Sequence, residues 1–143
     1  MSRRYSNIPE DCWYKNNCSS ITTQCGNHCI RYSAMKDLCL KSNLPKSKWL
    51  PLKLTTQKDR NSYLRLGIIQ SGIKEWVQEG NGLYIYSKNY GNGRTSWAVK
   101  LLLSYFNSIW YESGYKCRGL FINSADFLMR RKNMITTYDE NLA

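Results

Sequence analysis

Four cysteines crowd the first thirty residues of this 143-residue chain: Cys12, Cys18, Cys25 and Cys29. In a reducing compartment such crowding favours a metal over disulfides, and closely spaced thiolates are what tetrahedral zinc takes from short loops. The Cys25-x-x-x-Cys29 spacing is a common one, whereas five residues separate Cys12 from Cys18, a wider gap than usual. His28, the single histidine, is a rival ligand within the knuckle Cys25-Gly26-Asn27-His28, although an all-thiolate set is preferred. Without metal the four would be reduced, partly buried thiols. The segment up to Cys29 holds few aliphatic residues, so it needs a staple to fold, and zinc is expected to be that staple. Cys39 and Cys117 lie in apolar segments and read as core residues.

A second stretch with chemistry in it is Lys88-Asn89-Tyr90-Gly91-Asn92-Gly93-Arg94-Thr95, which aligns with the phosphate-loop pattern GxxxxGK[ST]. A phosphate loop needs glycines so that backbone N–H groups can curl around an anion. It also needs a lysine for the outer phosphates, a hydroxyl for magnesium, and a following helix whose N-terminus adds positive potential. Gly91, Gly93 and Thr95 are present, but Lys88 stands at the first glycine and Arg94 at the lysine. Arginine keeps the charge while replacing a compact point donor with a bulky planar fork. The expected anion contacts are Gly91, Asn92, Gly93, Arg94 and Thr95.

Charge points the same way. There are 21 Lys plus Arg against 10 Asp plus Glu, a formal net charge of +11. A surplus of that size attracts polyanions, above all nucleic acid. It is clustered: Lys41, Lys46, Lys48, Lys53, Lys58, Arg60 and Arg65 are opposed between them only by Asp59, and Arg130-Arg131-Lys132 form a second group. With Lys88 these are the candidate nucleic-acid contacts. Trp49, Tyr84, Tyr86 and Tyr90 are candidates for stacking on bases, with core packing the plainer expectation for Tyr84 and Trp97. No apolar run approaches the ~20 residues of a membrane span. The start MSRRYSNIPEDC lacks the apolar region of a secretory signal, so a cytoplasmic protein with no membrane partner is expected.

The elements that must position these residues follow from periodicity. Residues 30–39 read as a short amphipathic helix with Ile30, Ala34, Leu38 and Cys39 on one face, ending before Ser42. Residues 45–56 read as a basic linker. A helix is expected from about Asp59 to Glu79, burying Tyr63, Leu66, Ile69 or Gln70, Ile73 and Trp76-Val77, with Gly67 or Gly72 as a kink and Gly80-Asn81-Gly82 as its stop. Leu83–Tyr86 reads as a strand, 95–111 as a strong helix closed by Gly114, 117–123 as a second strand, and Ser124 as the cap of a last helix containing Phe127-Leu128-Met129. The expected fold class is α+β, mostly helical with a small sheet. It divides into a zinc-binding cysteine module and short helix (1–44), a basic linker and helix (45–80), and a P-loop-like β-α-β-α half-domain (81–143).

The run GLYIYSKNYGNGRTSWAVKLLLSYF, then YKCRGLFINSADFLMR, resembles the ATPase domain of bacteriophage and Gram-positive helicase loaders of the DnaC type. The cysteine cluster followed by a linker is similar to that family's zinc-bearing amino-terminal region. The resemblance implies metal ligands at Cys12, Cys18, Cys25 and Cys29 and phosphate contacts from Gly91 to Thr95. The family's third strand, with its acidic pair, is not found. Met134–Glu140 is a poor substitute, given its two threonines and its place straight after a basic segment. ATP hydrolysis is therefore not expected, since it needs positioned water and balanced metal charge. In the family the strands equivalent to 83–86 and 119–123 are not neighbours. Here they are expected either to pair directly or to be completed by a partner.

Together these features imply a non-catalytic phage protein. It would use bound RNA or DNA to interfere with a host replication factor, or with another nucleoprotein machine such as a CRISPR effector, in the bacterial cytoplasm. The alternative is an ATP-binding, helicase-loader-like accessory of phage DNA replication.

Overall fold

A computed structural model describes residues 8–16, 18, 25, 29–49, 60–88, 91, 93–112 and 119–142, with the side chains of the last helix described through 137. The central element is a helix, here α4 (Arg94–Ile109), against which α1 (Ile30–Lys41), α2 (Arg60–Ser71) and α3 (Ile73–Gln78) all pack. Position explains its composition. A helix covered from several sides must be apolar beyond one stripe, and α4 buries Trp97, Val99, Leu101, Leu103, Tyr105, Phe106 and Ile109. Of the residues whose spacing predicts burial, Trp97, Leu101, Tyr105, Phe106 and Ile109 are inside and Leu102 is only half-buried; Val99 and Leu103 are buried in addition.

The α1 helix buries Ala34, Met35, Leu38 and Cys39, while Ile30, expected on that face, is 70% exposed at the helix start. It stops where Asn43 takes a left-handed φ of 58°. Ser42, fully buried, donates its Oγ–H to the Cys39 carbonyl at 2.8 Å. A short 3₁₀ turn (Lys46–Lys48) follows in the expected linker, and residues 50–59, with Lys53 and Lys58, lie outside the described residues.

The expected helix over 59–79 is two helices. The break falls at Gly72 (φ −113°, ψ 29°), and Gly67 stays helical. Gln70 turns inward because its amide donates to Ser104 Oγ on α4 at 2.9 Å, whereas Val77 points outward. The end of α3 is set by Gly80 at φ 74°. The Gly80 N–H donates to the Val77 carbonyl and the Asn81 N–H to that of Trp76, the paired bonds of a Schellman cap, which only a left-handed residue at this position permits.

The small sheet is a correction. Residues 83–86 and 119–123 lie outside any helix, and no strand ladder joins them, or any others, among the described residues. Each segment docks instead on the helical core by one inward side chain, Ile85 and Phe121 respectively, leaving Tyr84, Tyr86, Leu120 and Ile122 outward. The Phe121 N–H donates to the Ser42 carbonyl at 2.7 Å, and Gly119 lies so close to Leu102 and Phe106 that a Cβ there would sit 2.9 Å from Leu102 Cδ1. Direct pairing, one of the two expected arrangements, is thus not adopted. The last helix, α5 (Ser124–Leu142), is capped by Asn123 and not Ser124: the Asn123 Oδ1 accepts from the Ala125 N–H at 3.0 Å. It takes in Met134–Glu140, in line with the rejection of that stretch as a strand. No described helix is long and apolar enough to cross a membrane.

Candidate functional site

The loop before α4 has the backbone of an anion-binding turn. Gly91 (φ 78°) and Gly93 (φ 76°) are both left-handed, and Gly93 is the N-cap of a 16-residue helix with no side-chain capping hydrogen bond among the described residues. Bare amides at the positive end of a helix dipole are where an anion is stabilised. Arg94 opens the helix half-buried, and its Nη1 donates back to the Ser87 carbonyl at 3.5 Å, so the guanidinium braces the loop. Thr95 and Lys88 are exposed; Asn92 and Tyr90 lie outside the described residues.

Immediately upstream, the rings of Tyr84 and Tyr86 stand together on the same side of the chain. They are 86% and 73% exposed, with ring centroids 6.1 Å apart and planes within 16°. Core packing, expected of Tyr84, is therefore overturned, because the partner strands that would have covered it are not among its neighbours. Trp97 is in the core as expected, edge-on to Tyr63 at 5.5 Å and with Lys100 Nζ 4.6 Å from its ring centroid. Trp49 is no stacking platform: it is buried, and its Nε1 donates to the Leu44 carbonyl at 2.9 Å.

The basic run is divided between elements. Lys41 closes α1 and pairs with Asp37 at 2.7 Å, Lys46 lies 6.0 Å from the Trp49 ring centroid, and Lys48 is half-buried. Arg60 and Arg65 are on α2 and Arg130, Arg131 and Lys132 on α5, all five exposed and without an ion pair among the described residues. The second ion pair, Lys74 to Glu112 at 2.6 Å, flanks an open polar groove of about 530 Å³ between α2–α3 and α4. Glu112 first, then Tyr111, hold the Lys74 ammonium above its ordinary value.

At the amino end Cys12, Cys18, Cys25 and Cys29 are all half-buried and reduced. His28 lies outside the described residues. Burial pushes the Cys12 thiol up, the Tyr14 backbone amide pulls it down, and the negative charge of Cys29, Cys18 and Cys25 pushes it up further. Cys12 therefore stands within electrostatic reach of the other three thiols, although no three candidate ligands among the described residues are gathered closely enough to hold an ion. As a donor set they suit zinc in chemistry: soft, reduced and half-sheltered thiols whose protons a dication would displace.

Sequence reasoning missed what docks this segment on the core. Tyr14 is buried with its hydroxyl donating to Asn107 Oδ1 on α4; Arg31 Nη2 donates to the same oxygen at 3.2 Å, and its guanidinium lies 3.1 Å from the Tyr14 ring centroid. Arg31 Nε is buried with no hydrogen-bond partner among the described residues, a cost accepted for the stacking. Beside it, the Tyr32 hydroxyl donates to Asp11 Oδ1 at 2.8 Å. Only the asparagine and arginine placed off the apolar stripes of α4 and α1 hinted at such a use. No family model, curated protein or solved structure matches this chain.

Proposed function

We propose that the protein is a non-catalytic, single-stranded nucleic-acid-binding protein whose amino-terminal segment is stapled by zinc at Cys12, Cys18, Cys25 and Cys29. The observation that carries this reading is the exposed, near-parallel Tyr84–Tyr86 pair leading directly into the glycine loop at the N-terminus of α4. Bases stack on such aromatic faces regardless of sequence, while amides and cations hold the adjoining phosphate. Lys88 lies between the two, and Arg60 and Arg65 add unneutralised charge on α2. RNA and DNA both suit this chemistry.

Catalysis is a poor use of the same parts. Arg94 is engaged with Ser87, and four of the ten acids already have partners: Asp11 has Tyr32, Asp37 has Lys41, Glu79 has Asn81 and Glu112 has Lys74. A module of this kind, resembling part of a helicase loader, acts by occupying nucleic acid or a host nucleoprotein machine unproductively. ATP-gated accessory binding is the competing role, and it requires affinity for nucleotide.

The test is fluorescence titration with a single-stranded oligonucleotide across a salt series. Tyr84→Ala and Tyr86→Ala should each weaken binding by about 1–3 kcal/mol and leave the salt slope unchanged. Lys88→Ala should flatten the slope by about 0.7. Unaltered affinity in the Tyr84→Ala/Tyr86→Ala double variant overturns the reading, and oligonucleotide binding that appears only with ATP transfers it to the accessory role.

A further inference from the structure

From Ser124 to Thr137 the side chains of α5 are exposed. Phe127, Leu128, Met134 and Ile135 are each at least 50% exposed, and the helices that pack on one another are α1 to α4. The sequence around Arg131 has an order of its own. Arg131 follows Phe127 by four residues and Leu128 by three, and precedes Met134 by three and Ile135 by four. On a helix turning ~100° per residue, all four neighbours fall within about 60° of Arg131. Phe127 and Met134 lie on one side of it, Leu128 and Ile135 on the other. The exposed arginine, with no ion pair among the described residues, is the centre of the apolar stripe and not its border.

We propose that α5 is a docking helix for an acidic partner protein, which receives the four apolar side chains in a groove and meets Arg131 with a carboxylate on the groove floor. Phe127 with Met134, and Leu128 with Ile135, are each an i, i+7 pair, and Arg131 fills the i+4 or i+3 place between them, so the register by which a helix seats in a groove runs through the arginine, and a buried guanidinium demands a bidentate acid. The central charge also decides against the other occupants. A lipid surface takes basic residues on the polar face of a helix and apolar ones beneath, so it would force this cation into hydrocarbon. A phosphate backbone would satisfy Arg131 but leave four apolar side chains in water. A second copy of this chain brings another +11 of charge and another Arg131. The flanking Arg130 and Lys132 add attraction towards an acidic rim. This inference does not depend on nucleic-acid binding at the loop.

The test uses the full chain and two synthetic helical hairpins, each with a leucine-lined groove. One carries a single glutamate at the centre of the groove and its twin a lysine there. The protein should prefer the glutamate hairpin by about tenfold or more, because a like charge opposite Arg131 is excluded from a desolvated seat. Arg131→Glu should reverse that preference, and Met134→Ser with Ile135→Ser should abolish binding to either. Because α5 lies outside the helical core, circular dichroism and melting of these variants should match the parent. Failure to discriminate between the hairpins overturns the proposal. So do binding to vesicles of one part phosphatidylglycerol to three parts phosphatidylcholine that needs the same four side chains, and self-association abolished by Met134→Ser.

Discussion

Gly119 offers the sharpest test of how the segment 119–123 is held. A Cβ at this position would lie 2.9 Å from Leu102 Cδ1 and 3.1 and 3.3 Å from the Cε1 and Cζ of Phe106. The two neighbours differ in what they can concede. Leu102 is half-buried, so its terminal methyl can rotate away, but Phe106 is fully buried among α4's core neighbours and its ring edge cannot. Overpacking of this kind costs about 1–3 kcal/mol, and restricting the unfolded chain by Gly→Ala returns about 0.4–1 kcal/mol. Gly119→Ala should therefore be net destabilising by about 1 kcal/mol, lowering the melting temperature by about 3 °C for a domain of this size. Urea melts of Gly119→Ala, Leu102→Ala and the double variant form the assay. Removing the Leu102 methyls deletes the shortest contact, so the glycine substitution should cost less in that background, with a coupling of about 0.5 kcal/mol or more. Strict additivity, or a Gly119→Ala protein more stable than the parent, refutes the close approach and with it the docking of this segment on α4.

Two further outcomes follow from the amino end. Purified protein should carry one zinc per chain, and chelation at neutral pH should remove it together with the ordered docking of residues 8–16, read as loss of near-ultraviolet dichroism from Trp13 and Tyr14; Cys12→Ser should bind less metal, and a metal-free protein with the same spectrum sinks the staple. Tyr32 should titrate late: burial first, then the hydrogen bond to Asp11 and the charge of that carboxylate, push it from 10.0 to about 12. The raised value means the folded state holds the proton more tightly. Its stabilising contribution is whole below pH 10 and is lost as the pH climbs from there towards about 12. An ultraviolet difference titration of the parent against Tyr32→Phe should show that late transition, and a difference centred at the ordinary tyrosine value contradicts it.

Much of the helical layout was legible because its causes are local. The 3.6-residue period of 30–39 and 95–111, the break in 59–79 and the glycine stop at 80 concern residues a few positions apart, whose backbone preferences and capping bonds arise within one segment. The glycine turn at Gly91 and Gly93 was likewise readable, since the freedom to take a left-handed φ belongs to the residue itself. The strands were not. An apolar run of four can be extended without being paired, and pairing depends on a neighbour that the run itself does not specify.

The same division separates what the sequence by itself determined from what only the tertiary structure decided. Composition and local period settled the charge surplus, the positions of the helices and the candidate ligands, because each is a property of a residue or of its near neighbours along the chain. Folding in space decided that Trp49 is buried while Tyr84 is bare, that Arg31 and Tyr14 converge on Asn107, that Phe121 hangs from Ser42, and that Arg131 stands ringed by uncovered apolar side chains. Burial and hydrogen-bond partnership are set by which surfaces meet. Those meetings join residues as far apart as Tyr14 and Asn107, a separation at which periodicity carries no information.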